Sequence, residues 1–179
     1  YSATISEAGK QDDRVLHVPS NLILSSSRIR QEMEGSDKVL AELASKGFGH
    51  LAPQFFIWIK VLQEYEKGDD SAWHDWMQSL PRKFDTAVSV DEFEVVCLPP
   101  FIGSLSKIER IQLVVFRDTL KALDVVSKET KENEDLTKWA YNVIFTRCWG
   151  KDADEYQLVP MADMFNHGHP SNVGISYDA

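Results

Sequence analysis

The stretch "LVPMADMFNHGH", from Leu158 to His169, sets Asp163, Asn166, His167 and His169 into an otherwise apolar run. Side chains of these types could do three kinds of work. A carboxylate with two neutral imidazoles suits zinc or iron, although Asp-x3-His-x-His is a weak signature without a second histidine-rich cluster. Asn166 and His167, beside Gly168 and Pro170, could instead satisfy the backbone of a turn. In the third reading an asparagine amide and exposed turn backbone read the edge of an adenine-type base, which makes the stretch a cofactor site. The local pattern leaves all three open.

A second group with chemistry to explain is Arg147, in "TKWAYNVIFTRCW". On a helix, Trp139, Val143 and Ile144 form one apolar stripe and Arg147 ends it on the same face. A guanidinium there needs an anion, because a buried unpaired charge is strongly unfavourable. The anion is either an acidic residue of the chain or a ligand carboxylate or phosphate, which the planar fork of arginine fits, unless the side chain snorkels out to water at the helix end. His17, His50 and His74 have no Ser, Cys or Asp at a spacing that suggests a triad. Trp73 and Trp76 read as anchors of a helical block, and no Walker-type or dinucleotide glycine motif is present.

Composition narrows the classes these residues can serve. The 179 residues suffice for one domain, or one domain with a subdomain. Hydrophobic residues make up 43% and charged residues 26%, in the ordinary globular range. A net charge of -9 argues against a general binder of nucleic acid or of an anionic membrane. The longest apolar run falls far short of the roughly 20 residues of a membrane helix. Cys97 and Cys148 are distant and lack a Cys-x-x-Cys context, so neither a disulfide framework nor a cysteine zinc site is expected. An intracellular location follows, with cytoplasm, nucleus and plastid all open.

The elements that must position these groups follow from periodicity and punctuation. Residues 1–24 read as strands around Pro19. Helical spacing starts at the following serines, with Val39, Leu40 and Leu43 on one face and Gly47 and Gly49 as stops. "LAPQFFIWIKVLQEYEKGDD" reads as a buried helix, with Phe55, Phe56, Ile59 and Leu62 inward, and Asp70 or Ser71 can cap the short helix after it. Residues 81–100 look irregular and extended. A long helix is predicted over Ser104 to Ser127, with Leu105, Ile108, Ile111/Gln112, Val115, Thr119 and Leu123 in phase. "KETKENED" reads as a charged, solvated loop before the Arg147 helix. The plan is α+β, with strand-rich ends around a large helical insertion.

Quoted in order, the pieces resemble a SET-domain protein methyltransferase of the Rubisco large-subunit lysine methyltransferase-like class. "DDRVLHVPSNLILSS" resembles the strand that leads into the family's insertion, and "EYEKGDDSAWHDWMQSLPRKFDTAVSVDEFEVV" resembles the insertion itself. "KWAYNVIFTRCWG" resembles the helix that ends in (S/T)-R, and "LVPMADMFNH" resembles LxPxxDxxNH. The resemblance implies a partial SET-domain β core over residues 1–25, a helical insertion over 26–150 and the start of the C-terminal core over 151–179.

It implies S-adenosylmethionine as cofactor, with Arg147 facing the methionine carboxylate and Asp163, Met164, Phe165, Asn166 and His167 cradling the rest. Asp13 and Val15, with Arg14 between them, match more loosely the strand that lines the same pocket. No metal is implied. The acceptor it implies is a lysine of another protein, less often a histidine. The family's catalytic tyrosine lies a few tens of residues beyond Asn-His; Tyr177 is too close, so no catalytic tyrosine is assigned. The chain is therefore expected to be an internal fragment, inactive alone. The alternative is a SET-like module that binds a partner without turnover.

Overall fold

The computed structural model describes residues 10, 13–152, 154–165, 169 and 173–177. Three short strands, β1 (Leu24–Ser25), β2 (Trp149–Asp152) and β3 (Glu155–Leu158), make an antiparallel sheet in the order β1-β3-β2. Leu24 pairs with Leu158 and Ser25 with Gln157; on the other side Trp149 pairs with Gln157 and Gly150 with Tyr156. Between β1 and β2 the described chain is helical or looped: α1 (Ser26–Glu32), α2 (Ser36–Ser45), α3 (Ala52–Glu66), α4 (His74–Ser79), α5 (Glu92–Cys97), α6 (Pro100–Lys121), α7 (Lys128–Glu132) and α8 (Glu134–Arg147). The chain is thus α+β, a small sheet interrupted by a long helical stretch. No described helix is long and apolar enough to cross a membrane.

The core is organised around α3. Pro53 sits in its first turn, where a missing N–H costs nothing. Phe55 through Ile59 are five consecutive buried residues, the mark of a helix packed on every side. Burying each large side chain contributes about 1.5–3 kcal/mol. Phe116 of α6 meets Phe55 edge-on at 4.9 Å, and Tyr141 and Phe145 of α8 stack at 4.2 Å beside it. The indole of Trp58 donates to the Thr137 carbonyl at 3.1 Å and ties α3 to α8. At the end of α3 the buried Glu64 accepts from Lys60 at 2.9 Å, Lys67 at 2.6 Å and Ser71 at 3.0 Å.

Several elements differ from the sequence reading, each for a physical reason. Of the described residues before Ser26, only Leu24 and Ser25 form a strand; residues 13–19 have no regular structure and Val15 and Leu16 are exposed. Arg28 holds that approach as a turn by donating to the carbonyls of Ser20 and Ile23. The segment expected to be extended contains α5, started by a capping box in which Asp91 and Glu94 bond each other's backbone at 2.7 Å. "KETKENED" is mostly α7, capped by Ser127, and Asn133 caps α8. The long helix begins at Pro100 and ends at Lys121, and the expected face is buried only in its second half. Leu105, Ile108 and Ile111 are exposed, whereas Thr119 and, just past the helix, Leu123 are buried as expected, joined in the core by Leu113, Phe116 and Leu120. The second half enters the core because its Phe116 meets the aromatic residues of α3 and α8.

Candidate functional site

Arg147 is the last residue of α8, and Cys148 leaves the helix with extended backbone straight into β2. As predicted, Trp139, Val143 and Ile144 are buried, and Arg147 ends their face with its side chain 13% exposed. β3 returns the chain beside β2, and Val159 and Pro160 follow, both buried. Met161 then takes φ 70 and ψ -39, a conformation strained for a residue with a Cβ. That kink reverses the chain into a single 3-10 turn, Ala162–Met164, with the Asp163 amide donating to Val159 O at 3.1 Å.

The turn brings Asp163 under Arg147. Arg147 Nη1 donates to Asp163 Oδ2 at 2.8 Å, to Asp163 O at 3.3 Å and to Met164 Sδ at 3.5 Å. From the other side Trp76 of α4 donates its indole N–H to both carboxylate oxygens, at 3.2 and 3.3 Å. The Asp163 side chain is fully enclosed, so it holds Arg147 and Trp76 in place and offers no free oxygen to solvent. Of the two partners the sequence left open for Arg147, an acidic residue of the chain is present. The guanidinium is nevertheless not fully used, because its Nε is buried without an acceptor among the described residues. The neighbouring Cys148 thiol is pushed well above its ordinary range, by burial first and then by the charge of Asp163.

Beside this network a cleft of about 280 Å³ is lined by Leu22, Trp73, Trp76, Pro160 and Met161, with Ala72, Asp75 and Ser79 along it. Trp76 belongs to both: its N–H reaches Asp163 while its ring lines the cleft. A separate polar cluster joins Glu155 to Ser25 at 2.6 Å and to Ser27 at 3.0 Å, which fastens the start of α1 to β3.

The predicted residues therefore divide. Arg147, Asp163 and Met164 come together, and Phe165 follows them, partly buried. Asp13 and Val15 are exposed on an irregular segment; Asp13 accepts from the Lys10 amide at 2.6 Å and bonds neither Arg147 nor Asp163. Asn166 and His167 lie outside the described residues. Among the described residues no group of three His, Cys, Asp or Glu is placed to hold a metal ion. The role of Trp76 escaped sequence reasoning: its partner lies 87 residues away, and the one available signal is that a buried indole N–H needs an acceptor. No protein-family model matches the chain, and no curated protein matches it.

Proposed function

We propose that the chain forms part of an S-adenosylmethionine site serving methyl transfer to a protein nitrogen, a lysine in the first place and a histidine less often. The observation that carries this reading is the Arg147 guanidinium, held by Asp163 through Nη1 and left with a buried Nε that has no acceptor among the described residues. An unmade bond on a buried charged donor costs about 1–3 kcal/mol, and a carboxylate on that edge would recover it. The carboxylate of an amino-acid headgroup fits this requirement, and S-adenosylmethionine carries one. The order and spacing of the sequence motifs supply the rest of the support.

When bound, that cofactor supplies a methyl group on a sulfonium, which transfers by in-line displacement to a neutral amine. The chain's own residues contribute alignment. Asp163 fixes the guanidinium and Trp76 fixes Asp163. Pro160 and Met161 form the turn that carries Asp163 under Arg147. Asn166 and His167 complete the proposed cradle by position in the motif.

Calorimetric titration of S-adenosylmethionine tests the reading. The wild-type chain is expected to bind, and Arg147→Ala to lose about 2–5 kcal/mol of affinity. Arg147→Lys keeps a charge beside Asp163 but removes the Nε edge, and serves if the alanine variant fails to fold. Equal affinity in the wild type and the lysine variant, or no binding to a folded wild-type chain, sinks the assignment.

A binding module without turnover is the second reading. It draws on the exposed apolar residues of α5 and α6: Phe93 is 76%, Val96 82% and Phe101 72% exposed. Patches of this kind mark interaction surfaces. A folded chain that takes up no S-adenosylmethionine decides for it.

A further inference from the structure

The cleft lined by Trp73 and Trp76 has a chemistry of its own. Both indole N–H groups are spent inside the protein, Trp73 on Leu22 O at 2.9 Å and Trp76 on Asp163. What the two side chains present to the cleft is therefore ring surface. The Ser79 hydroxyl is also used internally, donating to Trp76 O at 2.6 Å. One charge remains on the lining, the exposed carboxylate of Asp75, which has no ion pair among the described residues. None of the lining residues is a Lys or Arg.

Trp73 already has a cation near its ring, one that is also paired with Glu64 at 2.9 Å. It also lines a second cavity, of about 200 Å³, which contains Lys60, and the Lys60 ammonium lies 5.8 Å from the ring centroid. Two indoles, an apolar wall and one unpaired carboxylate suit a cation on an aliphatic stem, since ring quadrupole and carboxylate act with the same sign.

We infer that this cleft is a binding site for a lysine or arginine side chain of a partner protein, its stem lying on Trp73, Trp76 and Met161 and its cation meeting Asp75. The site is distinct from the Arg147 edge, which takes an anion. On the methyl-transfer reading, and resting on it, the cleft selects substrates with a second basic residue near the acceptor; the binding itself needs no cofactor.

The experiment is a titration without S-adenosylmethionine, so its outcome is separate from that of the cofactor site. Capped lysine (N-acetyl-lysine methylamide) is added to ¹⁵N-labelled chain while the indole N–H signals of Trp73 and Trp76 are followed, assigned by substitution. The inference expects saturable shifts of both, with the uncharged norleucine analogue binding at least about tenfold more weakly. Asp75→Asn, at an exposed position, is expected to weaken binding several-fold without changing the melting temperature, and Trp73→Leu to abolish it. Equal binding of the norleucine analogue would reduce the site to an apolar cleft and overturn the inference. So would lysine binding that Asp75→Asn and Trp73→Leu leave unchanged, or no shift at all in the folded chain.

Discussion

Arg147 and Asp163 meet at 2.8 Å, the one at the end of a helix and the other in the turn beyond the returning strand. A bend in the backbone at Met161 makes the meeting possible. Neither side chain could be replaced alone without leaving its partner buried and wanting.

Asp163→Asn tests this dependence. The amide keeps the shape but strands a guanidinium that is mostly buried, and breaking such a pair costs about 3–5 kcal/mol. Urea unfolding should show a lower midpoint with an unchanged slope. A loss under about 1 kcal/mol would mean that Arg147 escapes to solvent.

Trp76→Phe removes only the N–H shared between the two oxygens of Asp163 and keeps the ring in the cleft. A hydrogen bond to a charged group contributes about 1.5–3 kcal/mol, and that is the expected fall in stability. In a double-mutant cycle with Asp163→Asn the two losses should not add. Simple additivity would show that Trp76 acts through packing alone.

The sequence exposed the parts of this arrangement that are local. Arg147 stood out because a charge closed an apolar stripe three residues beyond Ile144, and α3 because its hydrophobic run is dense enough to require burial all round. What stayed hidden depended on competition or distance. In α6 the expected stripe turns inward only from Val115 onward, and the exposure of Leu105, Ile108 and Ile111 was hidden because the core anchor is the ring of Phe116 against Phe55, far along the chain. The Trp76–Asp163 bond joins segments with no common pattern. The Asp91 and Glu94 pair that starts α5 was readable as a capping box, but the prolines around it suggested an extended segment.

Glu64 should set part of the acid limb of stability. Burial alone would raise its carboxyl, but bonds from Lys67, Lys60 and Ser71 outweigh that and hold it below the ordinary range. A lowered folded value means its contribution is present above the unfolded value, about 4.3, and is lost as pH falls through the folded one. The wild type should therefore lose stability below about pH 5, and Glu64→Gln should lose less over the same interval while starting about 1–3 kcal/mol lower. Parallel stability curves for the two proteins would refute this role.

Met161→Gly addresses the strained turn. Relief of a positive φ at a residue with a Cβ is worth about 1–2 kcal/mol, against about 0.5–1 kcal/mol for glycine's greater unfolded freedom. The side chain is 55% exposed, so little packing is lost. A small rise in melting temperature is expected; a clear fall would show that Met161 is held by its side chain and not tolerated in spite of it.

The pairing of Ser25 and Trp149 with the same residue, Gln157, has a consequence for how the chain can be rearranged. The helical stretch departs from one neighbour of β3 and comes home to the other, so its two ends lie only about 10 Å apart, two strand spacings. A link of three or four residues spans that gap. The stretch is thus a cassette with adjoining ends, one that could be lifted from its strands, closed on itself or set into the loop of an unrelated host.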